Sequence, residues 1–184
     1  MTPPRALSLF FFPMILRSMQ SPPSSPDAAF AAKSGAARSE VRVQRRALVP
    51  YPRERMYALV ADVERYPNWF DWCTGARVLA RERARVQAEL SVRMAGIAMS
   101  FSTDNLESPP ERIDIALLSG PFRRLSGHWA FQSIGESGSR VVLDLGFEVG
   151  SGLLAGALAI GFRQVADRMV DDFCRVARIE SGRG

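Results

Sequence analysis

The stretch that decides the fold is "FRQVADRMVDDFCRVAR", residues 162–178, near the end of a chain of 184 residues. Apolar residues recur every three or four positions, which is the period of an amphipathic helix. The apolar stripe comprises Leu158, Phe162, Val165, Met169, Phe173 and Val176. The opposite side carries Arg163, Asp167, Arg168, Asp171 and Arg175. This pattern predicts one helix from roughly Gly152 to Ile179, about 40 Å long if unbroken.

The sequence before this helix predicts a sheet, because apolar and polar residues alternate along several short segments. Such alternation indicates strands with one face exposed to water. The predicted strands cover residues 41–49, 77–83, 86–94, 97–103, 112–118, 125–131 and 141–149. From the second onward, they are joined by Gly, Pro and Ser turns with no helix between them, which requires an antiparallel meander.

A first, shorter helix is predicted between the first two strands. Its apolar positions are Met56, Leu59, Val60 and Val63. We expect this helix to end before Pro67, because a residue that precedes proline is disfavoured in the helical region. A sheet with one apolar face and a helix with one apolar stripe bury these apolar surfaces against each other. The predicted fold class is therefore α+β, with a curved antiparallel sheet around a long C-terminal helix and the first helix closing one end.

The composition indicates one globular domain with an additional tail. Hydrophobic residues make up 47% of the chain and charged residues 23%, with a formal net charge of +5. Of the 24 basic residues only Lys33 is a lysine. Arginine suits phosphate binding, but a chain almost without lysine is explained more simply by codon bias in a GC-rich genome. The charge is therefore weak support for an RNA or membrane partner, and no feature indicates DNA.

The cysteines and the single histidine argue against a metal site. Cys73 and Cys174 are far apart, without the close cysteine spacing of zinc sites, and His128 is the chain's only histidine. One disulfide between the two cysteines is an alternative to two free thiols. We expect two free, buried thiols, as is usual in a reducing compartment.

Residues 1–40 are predicted to lie outside the core. They hold six of the twelve prolines and seven serines, and they show no sustained apolar period. Three interpretations remain open: a translation start assigned too far upstream, with the true start near Val41 or Val43; a disordered tail; or a targeting signal. The apolar run Ala6 to Leu16 imitates a secretory signal, but it is too short to span a bilayer as a helix.

Three further stretches carry a resemblance to a known family. They are "RRALVPYPRERMYALVADVERYPNWFDWC" at 45–73, "GPFRRLSGHWAF" at 120–131 and "LGFEV" at 145–149, followed by the final helix. Over about residues 41–180 the sequence resembles the coenzyme-Q-binding protein family of the START-like, polyketide cyclase/dehydrase-like helix-grip superfamily. Its bacterial members include ribosome-association toxins. Tyr66, Pro67, Trp72 and Cys73 match the family's pattern, whereas residues 69–71 depart from it.

The resemblance implies an apolar cavity between the sheet and the long helix. It implies a non-enzymatic protein that binds a polyisoprenoid quinone such as ubiquinone and supports respiration. The alternative implication is a toxin that binds the large ribosomal subunit and blocks its joining to the small one, and a cyclase-type enzyme comes third. We expect a bacterial cytoplasmic protein, in peripheral contact with the inner face of the membrane, or a mitochondrial inner-membrane location in a eukaryote.

The predicted cavity residues share the inward phase of their elements. They are Met94, Met99, Phe101, Leu117, Trp129, Phe131, Leu145, Phe147, Phe162 and Met169. Large, adaptable methionine and phenylalanine side chains suit a flexible apolar ligand. For most of these residues, however, solid core is the simpler explanation of the same phase. His128 lies out of phase with Trp129, so we expect it to face outward and to have no catalytic role.

Two further segments have alternative interpretations. Arg81, Arg83, Arg123 and Arg124 lie near strand ends. They either contact phosphates of RNA or membrane or keep strand edges from aggregating. The segment "GSGLLAGALAIGF", residues 150–162, is small and apolar. It is either a helix start packed closely on the sheet or a mouth that touches lipid.

Overall fold

The computed structural model describes residues 40–94 and 96–182, so the prediction for the first forty residues lies almost wholly outside the described part of the chain. The strands are β1 Val41–Val49, β2 Cys73–Glu82, β3 Arg85–Met94, β4 Ile97–Ser108, β5 Arg112–Ser119, β6 Phe122–Ile134 and β7 Gly138–Val149. The α-helices are α1 Arg53–Ala61, α2 Tyr66–Trp69 and α3 Ala155–Ser181, with a 3-10 turn at Val63–Arg65.

The seven strands form one antiparallel sheet in the order β1-β7-β6-β5-β4-β3-β2. Strands β2 to β7 are a meander in which each strand pairs with the next, as the sequence predicts. Strand β1 pairs with β7, so that Val43 lies opposite Leu145. Register shifts occur in the β2–β3, β4–β5 and β6–β7 pairs. Because such irregularities bend and twist a strand, they favour the curvature of this sheet.

Several strands are longer than predicted. Strand β4 continues to Ser108, because its backbone pairs with β5 beyond the point where apolar alternation ends. Strand β2 begins at Cys73 rather than Arg77, and β6 continues to Ile134. Gly127 in β6 is required by close approach to β7, since an added Cβ would clash with the carbonyl oxygen of Asp144.

Helix α3 packs its apolar stripe on the concave face of the sheet. Phe162 and Phe173 are almost fully buried and lie eleven residues apart, which is about 16 Å along the helix. Phe173 contacts Tyr66, Phe70 and Trp129, with ring centroids 5.0–5.5 Å apart. Phe162 contacts Phe101, Phe122 and Phe147 at 4.6–5.6 Å. The helix is therefore held by two aromatic clusters, one toward each end.

The region around Pro67 differs from the prediction in one respect. Helix α1 ends at Ala61, before the proline, as expected. Tyr66, however, has helical dihedral angles, and Pro67 lies in the first turn of α2. Proline is tolerated there because the first amide groups of a helix have no intrahelical acceptor. The hydroxyl of buried Tyr66 donates to the carbonyl oxygen of Val60 at 2.6 Å, which offsets the restriction on the residue before proline.

The segment that departs from the family pattern has a packing role. Asp71 forms an ion pair with Arg168 of α3. The indole Nε1 of Trp72 donates to Asp172 at 3.0 Å, and the Phe70 ring stacks on Trp72 at 5.1 Å. These contacts attach the start of β2 to the middle of α3.

Both cysteines are free thiols, as predicted, with Cys73 buried and Cys174 half-buried. Burial raises the pKa of each thiol. A raised pKa leaves less thiolate at neutral pH, so neither cysteine is an activated nucleophile.

No helix within residues 40–94 and 96–182 is long and apolar enough to cross a membrane.

Replacement of Phe173 tests the central role of α3. We expect Phe173→Ala to lower the free energy of unfolding by about 3–5 kcal/mol, because it opens a cavity at the centre of an aromatic cluster. Ile179→Ala, at an exposed position of the same helix, is the control and should change it by less than about 1 kcal/mol. Urea unfolding followed by circular dichroism measures both. Equal losses in the two variants would contradict the proposed role of Phe173.

Candidate functional site

The candidate site is a cavity between the concave face of the sheet and α3. Its volume is about 70 Å³. The wall is mainly apolar and is formed by residues of β3 to β7, of α3, and of the segment from α1 to α2. The apolar wall residues are Val60, Val63, Tyr66, Val86, Ala88, Leu90, Phe101, Ile113, Ile115, Leu125, Trp129, Leu143, Leu145, Phe162 and Met169. The cavity lies between the two aromatic clusters that hold α3.

Half of the ten predicted cavity residues lie on this wall. They are Phe101, Trp129, Leu145, Phe162 and Met169. Phe131 and Phe147 are fully buried away from it in solid core. Met94 packs against Gly161 of α3 and borders a separate polar depression with Arg93 and Arg168. Met99 and Leu117 are half-buried and pack against the core without reaching the cavity.

The polar end of the cavity was not predicted from the sequence. Thr103, Asn105 and Glu107 line it from β4. They continue the inward phase of Phe101 at intervals of two residues, beyond the point where the apolar alternation stops. Polar residues in the inward phase of a long strand are the signal that would have identified them.

The polar end has a partly shielded ion pair, and two buried groups without partners lie on it or near it. Glu107, whose side chain is 10% exposed, accepts a hydrogen bond from Arg81 at 3.2 Å. Near it, the Asn105 side-chain oxygen on the wall and the Tyr57 hydroxyl, which lies outside the wall, are buried without a hydrogen-bond partner among the described residues. Burial, together with the charge and proximity of the Glu107 carboxylate, raises the pKa of Tyr57 to about 12. Tyr57 is therefore neutral at physiological pH and keeps a proton to donate.

The four arginines that were predicted together as a contact surface do not lie on one surface. Arg81 and Arg83 lie at the β2–β3 turn, whereas Arg123 and Arg124 follow the β5–β6 turn at the opposite end of the sheet. Arg81 pairs with Glu107. The other three are exposed and outside the ion pairs formed by residues 40–94 and 96–182. They belong to two separate surfaces.

His128 lies on the outer face of the sheet, as predicted, while its neighbour Trp129 is buried. Its register partners are Asp114 on β5 and Asp144 on β7. Hydrogen bonds from Arg112 and Arg42 lower the pKa of Asp114 and Asp144, respectively. The described residues contain no group of three or more His, Cys, Asp or Glu side chains arranged to hold a metal ion.

Residues 49–174 match the family model of polyketide cyclase/dehydrase and lipid transport proteins. The chain is 38% identical over 136 residues to the ribosome association toxin RatA of Pseudomonas aeruginosa, covering 74% of this chain and 94% of the relative. It is 25% identical over 138 residues to the mitochondrial coenzyme Q-binding protein of Schizosaccharomyces pombe, covering 72% and 84%. Neither name describes an enzyme.

Solved structures agree with this fold. A Caulobacter crescentus protein solved in solution is 30% identical, with a TM-score of 0.62 and coverage of 77% of this chain and 99% of the other. The Zhui aromatase/cyclase from a Streptomyces species is 18% identical, with a TM-score of 0.67 and coverage of 76% and 94%. At that identity the second likeness concerns the fold alone.

Two tyrosine variants test the unpartnered hydroxyl. Tyr57→Phe removes a buried hydroxyl that has no hydrogen-bond partner among the described residues, so the free energy of unfolding should stay within about 0.5 kcal/mol of wild type or rise. Tyr66→Phe, the matched control, loses the bond to Val60 and should lower it by about 1–2 kcal/mol. Urea unfolding compares the two. A loss at Tyr57 as large as that at Tyr66 would show that its hydroxyl is bonded.

Proposed function

The chain belongs to the polyketide cyclase/dehydrase and lipid transport family, and we propose that it binds a ubiquinone-like quinone in the cavity without turning it over. The observation that carries the proposal is the division of the cavity into an apolar wall and one polar end. A quinone has the same division, with two carbonyl acceptors on its ring and an apolar isoprenoid tail.

The polar end offers polar groups for such a ring. The neutral Tyr57 hydroxyl, near Glu107 but outside the cavity wall, and the side-chain oxygen of Asn105, on the wall, are buried and lack partners among residues 40–94 and 96–182. Leaving buried polar groups unpaired costs free energy, so a ligand carbonyl that reaches the Tyr57 hydroxyl and accepts from it is stabilised. The tail would lie against apolar wall residues such as Leu145 and Met169. The name of the Schizosaccharomyces pombe relative supports this ligand class.

Binding requires the cavity to expand. Its volume of about 70 Å³ is well below the roughly 300–1,000 Å³ of typical small-molecule sites. Met169 is half-buried on the wall, and its unbranched side chain changes conformation readily. The first turns of α3 bury few large side chains, chiefly Leu158 and Phe162. We therefore assign the expansion to movement of Met169 and of the start of α3.

A polar-end variant tests quinone binding. We expect Tyr57→Phe combined with Asn105→Leu to weaken ubiquinone binding about tenfold or more, because the Tyr57 donor and the polar side chain of Asn105 are lost. Quenching of tryptophan fluorescence measures the affinity, since Trp129 lies on the cavity wall. Tyr51→Phe with Asn68→Leu, outside the cavity, is the matched control and should bind like wild type. Absence of ubiquinone from protein purified from its own host, with no binding in solution, would refute the proposal.

A second candidate function is association with the large ribosomal subunit, which would block subunit joining. It is supported by 38% identity to a ribosome association toxin of which the chain covers 94%. Arg46 and Arg140 add a structural observation. They line an outer-face depression with Gln44 and Gln132, and neither forms an ion pair with the described residues. Such arginines are free to contact RNA phosphates.

Arginine variants test the ribosomal candidate. Arg46→Gln with Arg140→Gln should weaken co-sedimentation with large subunits and lower the slope of log affinity against log salt by about two, one per lost phosphate contact. Arg77→Gln with Arg85→Gln removes two arginines paired with Glu89 and Asp104 and is the matched control. If both double variants weakened co-sedimentation equally, binding would depend on net charge rather than on Arg46 and Arg140. No co-sedimentation of the wild type would refute this candidate.

A further inference from the structure

An exposed apolar surface lies at the start of α3 and has no role in the core. Leu153 has a relative exposure of 105%, Leu154 64% and Ile160 63%. We call these three residues the apolar tip. They belong to the segment 150–162, which contains no charged residue. Isolated exposed leucines are ordinary on protein surfaces, but three exposed large apolar side chains within eight residues of an uncharged segment indicate an interaction site.

The fold does not require the apolar tip. Leu158, Gly161 and Phe162 are the residues of the first turns of α3 that are buried. Leu154 occupies the N-cap position and makes no side-chain capping bond. A polar residue such as Ser or Asp would stabilise that position better. Leucine at the cap and beside it is therefore unfavourable for helix stability, which argues for selection by a partner.

Exposed arginines lie on the elements that adjoin the apolar tip. The amide of Gly150 donates to the carbonyl oxygen of Pro121 at 3.4 Å, which places the β5–β6 turn beside the end of β7. Arg123 and Arg124 follow that turn and are exposed. Arg163 lies one turn after Ile160 and is also exposed, with a distant pairing to Asp167 at 3.6 Å.

The acidic groups near the tip are few. Glu148 lies opposite Arg124 in the β6–β7 register but forms no ion pair with it within the part of the chain that the structure describes. Asp167 is already paired with Arg45 at 2.7 Å. The surroundings of the apolar tip thus carry excess positive charge.

We propose that the apolar tip docks on an anionic lipid bilayer. The leucines would enter the boundary between headgroups and acyl chains, while Arg123, Arg124 and Arg163 would contact lipid phosphates. The protrusion of Leu153 favours a fluid partner, because a side chain that stands clear of its own protein enters a bilayer without needing a preformed pocket. Small and apolar residues around it offer RNA bases few hydrogen-bonding groups.

Docking in this orientation would hold the cavity close to the membrane. Phe162 lines the cavity and lies only eight residues after Leu154. The docking surface is distinct from the polar end, where Tyr57 and Asn105 lie. The proposal goes beyond quinone binding and does not depend on it.

Vesicle flotation with the full chain tests the docking. We expect wild type to float with vesicles of phosphatidylcholine and phosphatidylglycerol, and more weakly with phosphatidylcholine alone. Leu153→Asp with Leu154→Asp should reduce partitioning at least about tenfold, because two inserting side chains become charged. Arg123→Gln with Arg124→Gln should reduce partitioning onto the anionic vesicles about tenfold and flatten its salt dependence. Circular dichroism must first show a native fold for each variant.

The controls carry the same changes elsewhere. Leu48→Asp introduces a charge at a leucine that is 70% exposed on β1, and Arg83→Gln removes an arginine at the opposite end of the sheet. Both should float like wild type. The proposal is wrong if wild type floats with neither kind of vesicle, and it is then equally wrong if these leucines prove to mediate ribosome binding. It is also wrong if Leu48→Asp lowers flotation as much as Leu153→Asp with Leu154→Asp. The vesicles contain no quinone, so Tyr57→Phe with Asn105→Leu should still float.

Discussion

Burial of the apolar stripe of α3 against the concave face of the sheet is the constraint on which the rest of the structure depends. Phe162 and Phe173 each lie in a cluster of aromatic rings. Because these clusters hold the helix toward both ends, the space between them remains as a cavity. The Asp71–Arg168 ion pair and the bond from Trp72 to Asp172 attach the start of β2 to the same helix. Contacts with one helix therefore position the sheet, the cavity and its polar end.

The architecture could be predicted from sequence because the strands and α3 each place their buried apolar residues at a regular spacing. The cavity could be predicted only in part, because the phase of a strand residue gives its face but not its distance from the helix. Phe101 and Phe147 both point inward, yet only Phe101 reaches the cavity. Thr103, Asn105 and Glu107 were missed because apolar alternation stops at Phe101 while β4 continues to Ser108. The separation of Arg81 from Arg124 depends on strand register, which spacing along the chain does not reveal.

The proposed activities use surfaces that do not overlap. Quinone binding depends on interior groups at the end of β4, and ribosome association depends on arginines of the outer face such as Arg46. Membrane docking uses the start of α3 at one end of the sheet. One fold can carry several activities because the core that holds it together leaves its surfaces free to vary. Loss of one activity in a variant is therefore informative about one surface, provided that the core is intact.

The position of β1 beside β7 has a consequence for synthesis of the chain. Val43 pairs with Leu145, so during synthesis β1 leaves the ribosome about a hundred residues before its partner β7. The meander from β2 to β7 can form progressively through neighbouring hairpins, whereas β1 must wait and α3 arrives last. Until then the concave apolar face has no cover and is prone to aggregation. The native state can thus be completed only after the C-terminal helix α3 has been synthesised. A truncated chain without α3 would need a chaperone to stay in solution.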